Sequence, residues 1–198
     1  MAQEIEAKFL NVDHDGLRLK LKESGAEQEF AMRNYRRVMF DHEDERFQKN
    51  DHSRRLRVRD EGDRVMLNFK SRSSTVYDNE TEVEVSSFED TVALLKSAGF
   101  VDFSYQESRR EMWLLDGCEV CLDEWPWIPT YVEIEGPNEE VIKKVAAILG
   151  FDWSDAAFGS VDRAYQSEYS NMSNDDSIGD LAIVSFDMDI PKYFLSRR

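Results

Sequence analysis

The chain is short of cysteine, of long apolar runs and of positive charge. Its 198 residues include two cysteines, Cys118 and Cys121, which rules out a disulfide-stapled framework. They form one C-x-x-C inside a predicted strand, so their side chains are expected on opposite faces. No second Cys or His pair lies near enough to complete a zinc set, and a structural role is expected for both. No stretch reaches the length of a membrane helix, and the N-terminus lacks the basic-then-apolar order of a signal peptide, so a cytoplasmic protein with no membrane association is expected. Lys and Arg number 25 against 41 Asp and Glu, a formal net charge of −16 and a pI near 4.6. That balance excludes general nucleic-acid binding, which needs a broad positive surface. Any anion site must therefore be a local basic enclosure.

The length suits one domain with a substantial core plus an appendage, read as 1–168 and 169–198. Residues 3–10 alternate as a strand, and Asn11 to Asp15 offer caps for a helix with Leu17, Leu21 and Ala26 on one stripe, closed by Gly25. The spacing of Asn11, Asp13, Asp15 and Gly16 brushes a calcium loop, but Lys22 stands where the bidentate Glu is needed. Strands are predicted at 34–41 and 54–60, with Asp60-Glu61-Gly62-Asp63 as a hairpin signal into 64–70. Residues 80–86 alternate again before a capping box at Ser87 and Asp90 and a helix ending at Gly99. Strands near 104–115, 118–124 and 130–136 precede a helix capped by Asn138 and closed by Gly150. Residues 169–180, rich in Ser, Asn and Asp, are expected to form a mobile linker, and 181–186 a short docking strand. Hairpins punctuated by helices indicate an α+β fold with an antiparallel sheet and helical cover.

Charge recurs at alternate positions in most of these strands: Glu4, Glu6 and Lys8; Arg57 and Arg59; Asn68 and Lys70; Glu82 and Glu84; Ser108 and Arg110; Glu133 and Glu135. For any one pair the simpler account is a solvated strand face. Taken together, and with the strands closed into a barrel, these positions would line a polar lumen while Ile, Val, Leu and Phe face outward to the helices. Buried ions each pay several kcal/mol of desolvation (about that order), so such a lumen calls for ligands of both signs. Guanidinium and ammonium groups match phosphate oxygens, and clustered carboxylates hold a hard divalent cation. Polyphosphate with Mg²⁺ meets both needs.

The ordered set E-I-E-A-K at 4–8, L-R-V-R at 56–59, L-N-F-K at 67–70, T-E-V-E-V at 81–85, R-R-E-M-W at 109–113, C-L-D-E at 121–124 and Y-V-E-I-E-G at 131–136 resembles the CYTH, or triphosphate tunnel metalloenzyme, superfamily over about residues 3–165. The resemblance implies a closed eight-stranded antiparallel β-barrel with helices outside and an enzyme acting on ATP, thiamine triphosphate or tripolyphosphate. It implies Lys8, Arg57, Arg59, Lys70 and Arg110 as phosphate contacts, with Arg109 adjoining. It implies Glu4, Glu6, Glu133 and Glu135 as ligands for Mg²⁺ or Mn²⁺, with Glu82, Glu84 and Asp123 as further metal or water-positioning groups. Lys8, Lys70, Glu82 and Glu84 are the expected catalytic set. Where the family often carries Lys, this chain has Ser108, and the segment after Tyr169 lies outside the pattern.

Two reactions suit such a site: hydrolysis at the terminal phosphorus, the favoured reading, or attack of a ribose 3′-hydroxyl on the α-phosphorus, as in class IV adenylyl cyclases. A non-catalytic polyphosphate-binding module is a third reading. Trp125, Pro126, Trp127 and Pro129 form either a rim for a base or, as favoured, hydrophobic capping of the barrel mouth. A homodimer is left open.

Overall fold

The structure is a computed structural model and describes residues 5–47, 49, 54–72, 78–173 and 176–197. Its elements run β1 (Ile5–Phe9), α1 (His14–Glu23), β2 (Glu27–His42), β3 (Arg54–Asp60), β4 (Val65–Arg72), β5 (Asp78–Val85), α2 (Phe88–Ser97), β6 (Phe100–Leu115), β7 (Cys118–Glu124), β8 (Tyr131–Gly136), α3 (Glu139–Ile148), α4 (Asp162–Glu168), β9 (Ile183–Val184) and α5 (Lys192–Leu195). The fold is α+β, a nine-stranded sheet in the order β1-β8-β7-β6-β2-β3-β4-β5 with β9 on β6. Strands β1 and β8, β8 and β7, β7 and β6, β2 and β3, β3 and β4, and β4 and β5 pair antiparallel, and β9 runs parallel to β6. Among the described residues the pairing path is open, with β1 and β5 at its ends, so the expected closure into an eight-stranded barrel is not part of the described fold.

The chain forms two compact units where one domain and a tail are expected. The first comprises residues 1–33, 108–177 and 186–198. In it one face of β1, β8 and β7 presents Ala7, Val132, Ile134, Val120 and Leu122 to Leu17 and Leu21 of α1 and Ile142 and Val145 of α3. Asp13 caps α1 by accepting from the amides of Asp15 and Gly16, and Asn138 caps α3 by accepting from Val141. Gly136 lets α3 sit close: a Cβ there would lie 2.7 Å from Cys118 Sγ and 3.0 Å from Ile142 Cγ1. The free edge of β1 is bridged at Lys8 by Ala157, whose backbone gives and takes one hydrogen bond each.

The second unit comprises residues 34–107 and 178–185. Val38, Phe40, Leu56 and Val58 form its apolar face, covered by Phe47 and by Phe88 of α2, which Ser87 caps. Strands β2 and β6 start earlier than predicted, at Glu27 and Phe100. Residues 27–33 are largely exposed and carry no apolar alternation to reveal them.

The segment expected to be a mobile linker is packed, residues 174 and 175 lying outside the described set. Tyr169 is fully buried, and its hydroxyl donates to the Trp127 carbonyl at 2.6 Å. Phe194 of α5 stacks on Tyr169 and Tyr165 at ring distances of 4.6 and 5.1 Å. A few aromatic side chains bury enough area to offset a polar composition. The Trp127 ring packs on Phe194 and donates from Nε1 to the Met188 carbonyl, so the aromatic loop serves in packing.

Candidate active site

Each unit carries one charged sheet face, opposite its apolar one. In the first unit the pleat brings Glu6 and Lys8 of β1, Glu133 and Glu135 of β8, Asp123 of β7 and Arg110 of β6 to a common face, with register Lys8 to Glu133, Glu6 to Glu135 and Arg110 to Asp123. Lys8 Nζ, almost wholly buried, donates to Glu6 Oε1 at 2.7 Å and lies 2.9 Å from Glu133 Oε2. Arg110 grips Asp123 through Nε and a terminal nitrogen at 2.7 and 2.8 Å, and the same nitrogen reaches Glu133 Oε1 at 3.2 Å. Burial raises the Glu133 carboxyl, but Arg110 and Lys8 outweigh it and hold it down at about 2. Asp123 goes the other way: burial dominates and, with Glu133 nearby, keeps its carboxyl above the usual range despite Arg110. Burial opposes the Lys8 ammonium as well, yet Glu133 and Glu6 together push it up.

Ligand atoms of Glu6, Glu133 and Glu135 lie within 4.8 Å of one another. Three hard carboxylates at that spacing fit an oxygen-seeking divalent ion such as Mg²⁺ or Mn²⁺, and Lys8 and Arg110 hold the same charge in check without one. Glu4, expected in this set, lies outside the described residues.

The second unit's face is basic at its centre. Arg55, Arg57 and Arg59 of β3 oppose Lys70, Asn68 and Met66 of β4, which in turn oppose Glu80, Glu82 and Glu84 of β5; Arg37 of β2 lies beside Arg59. Arg59 donates to Glu82 at 3.2 Å and from Nε to Glu61 at 2.7 Å, and Glu61, buried in the β3–β4 hairpin, also receives Arg64 at 2.7 Å. Arg57 and Lys70 share Glu80 at 3.7 and 3.4 Å. Burial, with Arg59, Arg37 and Arg55 close by, drives the Arg57 guanidinium down to about 9. Arg57 Nε and Asn68 Oδ1 are buried without a hydrogen-bond partner among the described residues. A crowd of guanidiniums with one unmet donor has the chemistry to hold an anion.

Strand parity separates two of the expected contacts. Arg109 falls on the face opposite Arg110, where it pairs with Glu124 at 3.2 Å and lies 4.2 Å over the Phe186 ring. Its expected adjoining role in phosphate binding finds no support in that placement. Ser108 is buried on the Arg110 face. Cys118 enters the apolar core, whereas Cys121, opposite Glu133, is on the charged face with its thiol pushed up by burial. Glu61, Glu80 and Arg37 escape sequence reasoning; Glu61 sits in a turn signal, and the other two only repeat an alternation already visible in their strands.

Residues 2–152 match the sequence model of the CYTH domain. No curated protein matches the chain. Among solved structures, the PH1012 protein of Pyrococcus horikoshii is 22% identical with a TM-score of 0.65, over 81% of this chain and 98% of its own. A proposed adenylate cyclase from Vibrio parahaemolyticus is 13% identical with a TM-score of 0.71, over 82% and 97%. The Hippeastrum protein HpAC1, described with a dominant triphosphatase activity, is 16% identical with a TM-score of 0.59, over 85% and 96%. At these identities the likeness is one of fold.

Proposed function

Because the chain belongs to the CYTH domain family, we propose that it is a divalent-metal-dependent enzyme that hydrolyses the terminal phosphate of an organic or inorganic triphosphate. The observation that carries this reading is the Glu6, Glu133 and Glu135 triad, with Lys8 and Arg110 already bonded into it. These carboxylates, with Glu4 and Asp123, would hold Mg²⁺ or Mn²⁺, which when bound offsets phosphate charge and orients the leaving group. Lys8 and Arg110 in the first unit, and Arg57, Arg59 and Lys70 in the second, would each bind phosphate oxygens, and such cations stabilise the charge that spreads over a transferred phosphoryl group. Glu82 or Glu84 would orient the attacking water and accept its proton, while the bond from the terminal phosphorus to its bridging oxygen breaks and the diphosphate leaves with the electron pair. Closure of eight antiparallel strands into a tunnel belongs to the same proposal, as does a cytoplasmic setting; no helix among the described residues is long and apolar enough to cross a membrane.

The Vibrio and Hippeastrum names keep cyclisation of ATP in view. A cyclase must also seat a base, and the aromatic loop best suited to that is taken up by Tyr169, Met188 and Phe194. That engagement favours hydrolysis. The test is a product assay with Mg²⁺ or Mn²⁺ and, separately, ATP, thiamine triphosphate and tripolyphosphate. Orthophosphate is expected; cyclic AMP with pyrophosphate would establish the cyclase instead, and tight binding without turnover a binding module.

A further inference from the structure

Asn68 occupies the middle of the basic face, fully buried, opposite Arg57 on one side and Glu82 on the other. Its Nδ2 donates to Glu80 and, at 3.2 Å, to Glu82. Turning the amide over would press Oδ1 against two carboxylate oxygens. The side-chain carbonyl is therefore committed away from the acids, and it accepts from no described residue, while Arg57 Nε across the ladder donates to none. Directly paired residues of β3 and β4 thus carry one donor without an acceptor and one acceptor without a donor among the described residues. A fully deprotonated oxyanion supplies acceptors to Arg57 but confronts Oδ1 with a second lone pair. An oxyanion that keeps one O–H satisfies both atoms.

We propose that Asn68 is a specificity-determining residue that makes this face select a phosphate group bearing one O–H over an oxyanion without a proton; this rests on the reading of the face as a phosphate site. In a linear triphosphate only a terminal phosphate holds such a proton near neutral pH, with a pKa of about 6 as in other phosphate monoesters, so Asn68 would mark the seat of the terminal group. Since Oδ1 has no solvent contact, ligand entry must displace the ends of the long basic side chains that share the face; Arg57 and Lys70 retain 22% and 34% side-chain exposure.

The test uses the full chain and asks how well sodium phosphate and sodium sulfate, at matched ionic strength and pH 7, displace tripolyphosphate in isothermal titration calorimetry. Hydrogenphosphate should win by at least about tenfold, the size of one hydrogen bond to a charged group made or opposed. Asn68→Leu, which removes the acceptor, should bring the two anions to parity by weakening phosphate, and Asn68→Ser, which restores an acceptor, should keep a preference. If the leucine variant does not fold, the wild-type ratio and the serine variant decide. Equal displacement by both anions in the wild type, or a preference unchanged in Asn68→Leu, would show that a resident water satisfies Oδ1 and would overturn the proposal. If neither anion displaces bound tripolyphosphate the proposal falls too, leaving the triphosphate reading standing. If tripolyphosphate itself does not bind, both fall.

Discussion

In the first unit a buried carboxylate, Glu133, is clasped by two cations; in the second a half-buried guanidinium, Arg57, is crowded by three others and shares one carboxylate with Lys70. Both faces come from the same alternation of charge along β-strands, and they differ in how far the protein settles its own electrostatics. Near pairing in the first makes a network whose charges are balanced within the protein. Incomplete pairing in the second leaves a standing demand for negative charge. Like charges can be kept together in a fold when a ligand relieves them, and the cost shows as a depressed guanidinium and two orphaned polar atoms.

Neutralising each centre should break this contrast most sharply. Glu133→Gln is expected to abolish metal-dependent phosphate release and, by removing one of the two carboxylates that each of Lys8 and Arg110 holds, to cost about 1–3 kcal/mol in urea unfolding; unchanged stability would show that the clasp is not what holds this face. Arg57→Met is the counterpart. It removes a crowded cation, so stability should hold or rise, while tripolyphosphate affinity drops by at least about tenfold in calorimetry. A destabilised Arg57→Met would mean that Arg57 is a net structural contributor.

The pH dependence should run in opposite directions. The Glu133 carboxyl lies at about 2 in the folded chain against an ordinary 4.5, so its stabilisation is complete above 4.5 and drains away as the pH falls toward 2. The Arg57 guanidinium lies at about 9 against an ordinary 12.5, so its destabilisation is complete below 9 and is relieved as the pH rises from there. Unfolding profiles of wild type against each variant should therefore converge at the acid end for Glu133→Gln and at the alkaline end for Arg57→Met. The smallest effect is expected from salt: raising sodium chloride should slow amide exchange in β3 by a few tenths of a kcal/mol (about that order) through screening among the arginines, and leave β8 unchanged.

Much of this contrast is legible in the sequence where strand parity and charge coincide. Alternation in 4–8 and 131–136 is enough to put Lys8, Glu133 and Glu135 on a common side, and the caps at Ser87 and Asn138 mark two helices correctly. Arg109 shows the same rule neglected, because its odd spacing from Arg110 already assigns it to the other face. Glu61 is harder to read. A hairpin signal says that the chain turns, and nothing in it says that the turn's second residue is swallowed between Arg59 and Arg64. The two-unit division is not legible either, since β2 and β6 each run 16 residues across its boundaries with no break in pattern. The packed extension escapes notice because its buried residues, Tyr169, Met172, Ile178, Val184 and Phe194, are spread among Ser, Asn and Asp with no helical or strand period.

That deep seating of Phe194 sets an order of events during synthesis. Residues 34–107 leave the ribosome as one stretch and contain nearly all of the second unit, so that unit can gather around neighbouring hairpins as it emerges. The first unit cannot: β1 must wait for β8, and the Tyr165–Tyr169 stack stays uncapped until α5 has been translated. Its strand β1 therefore waits exposed until β8 is made, and an arrest before α5 is translated would leave the first unit unfinished.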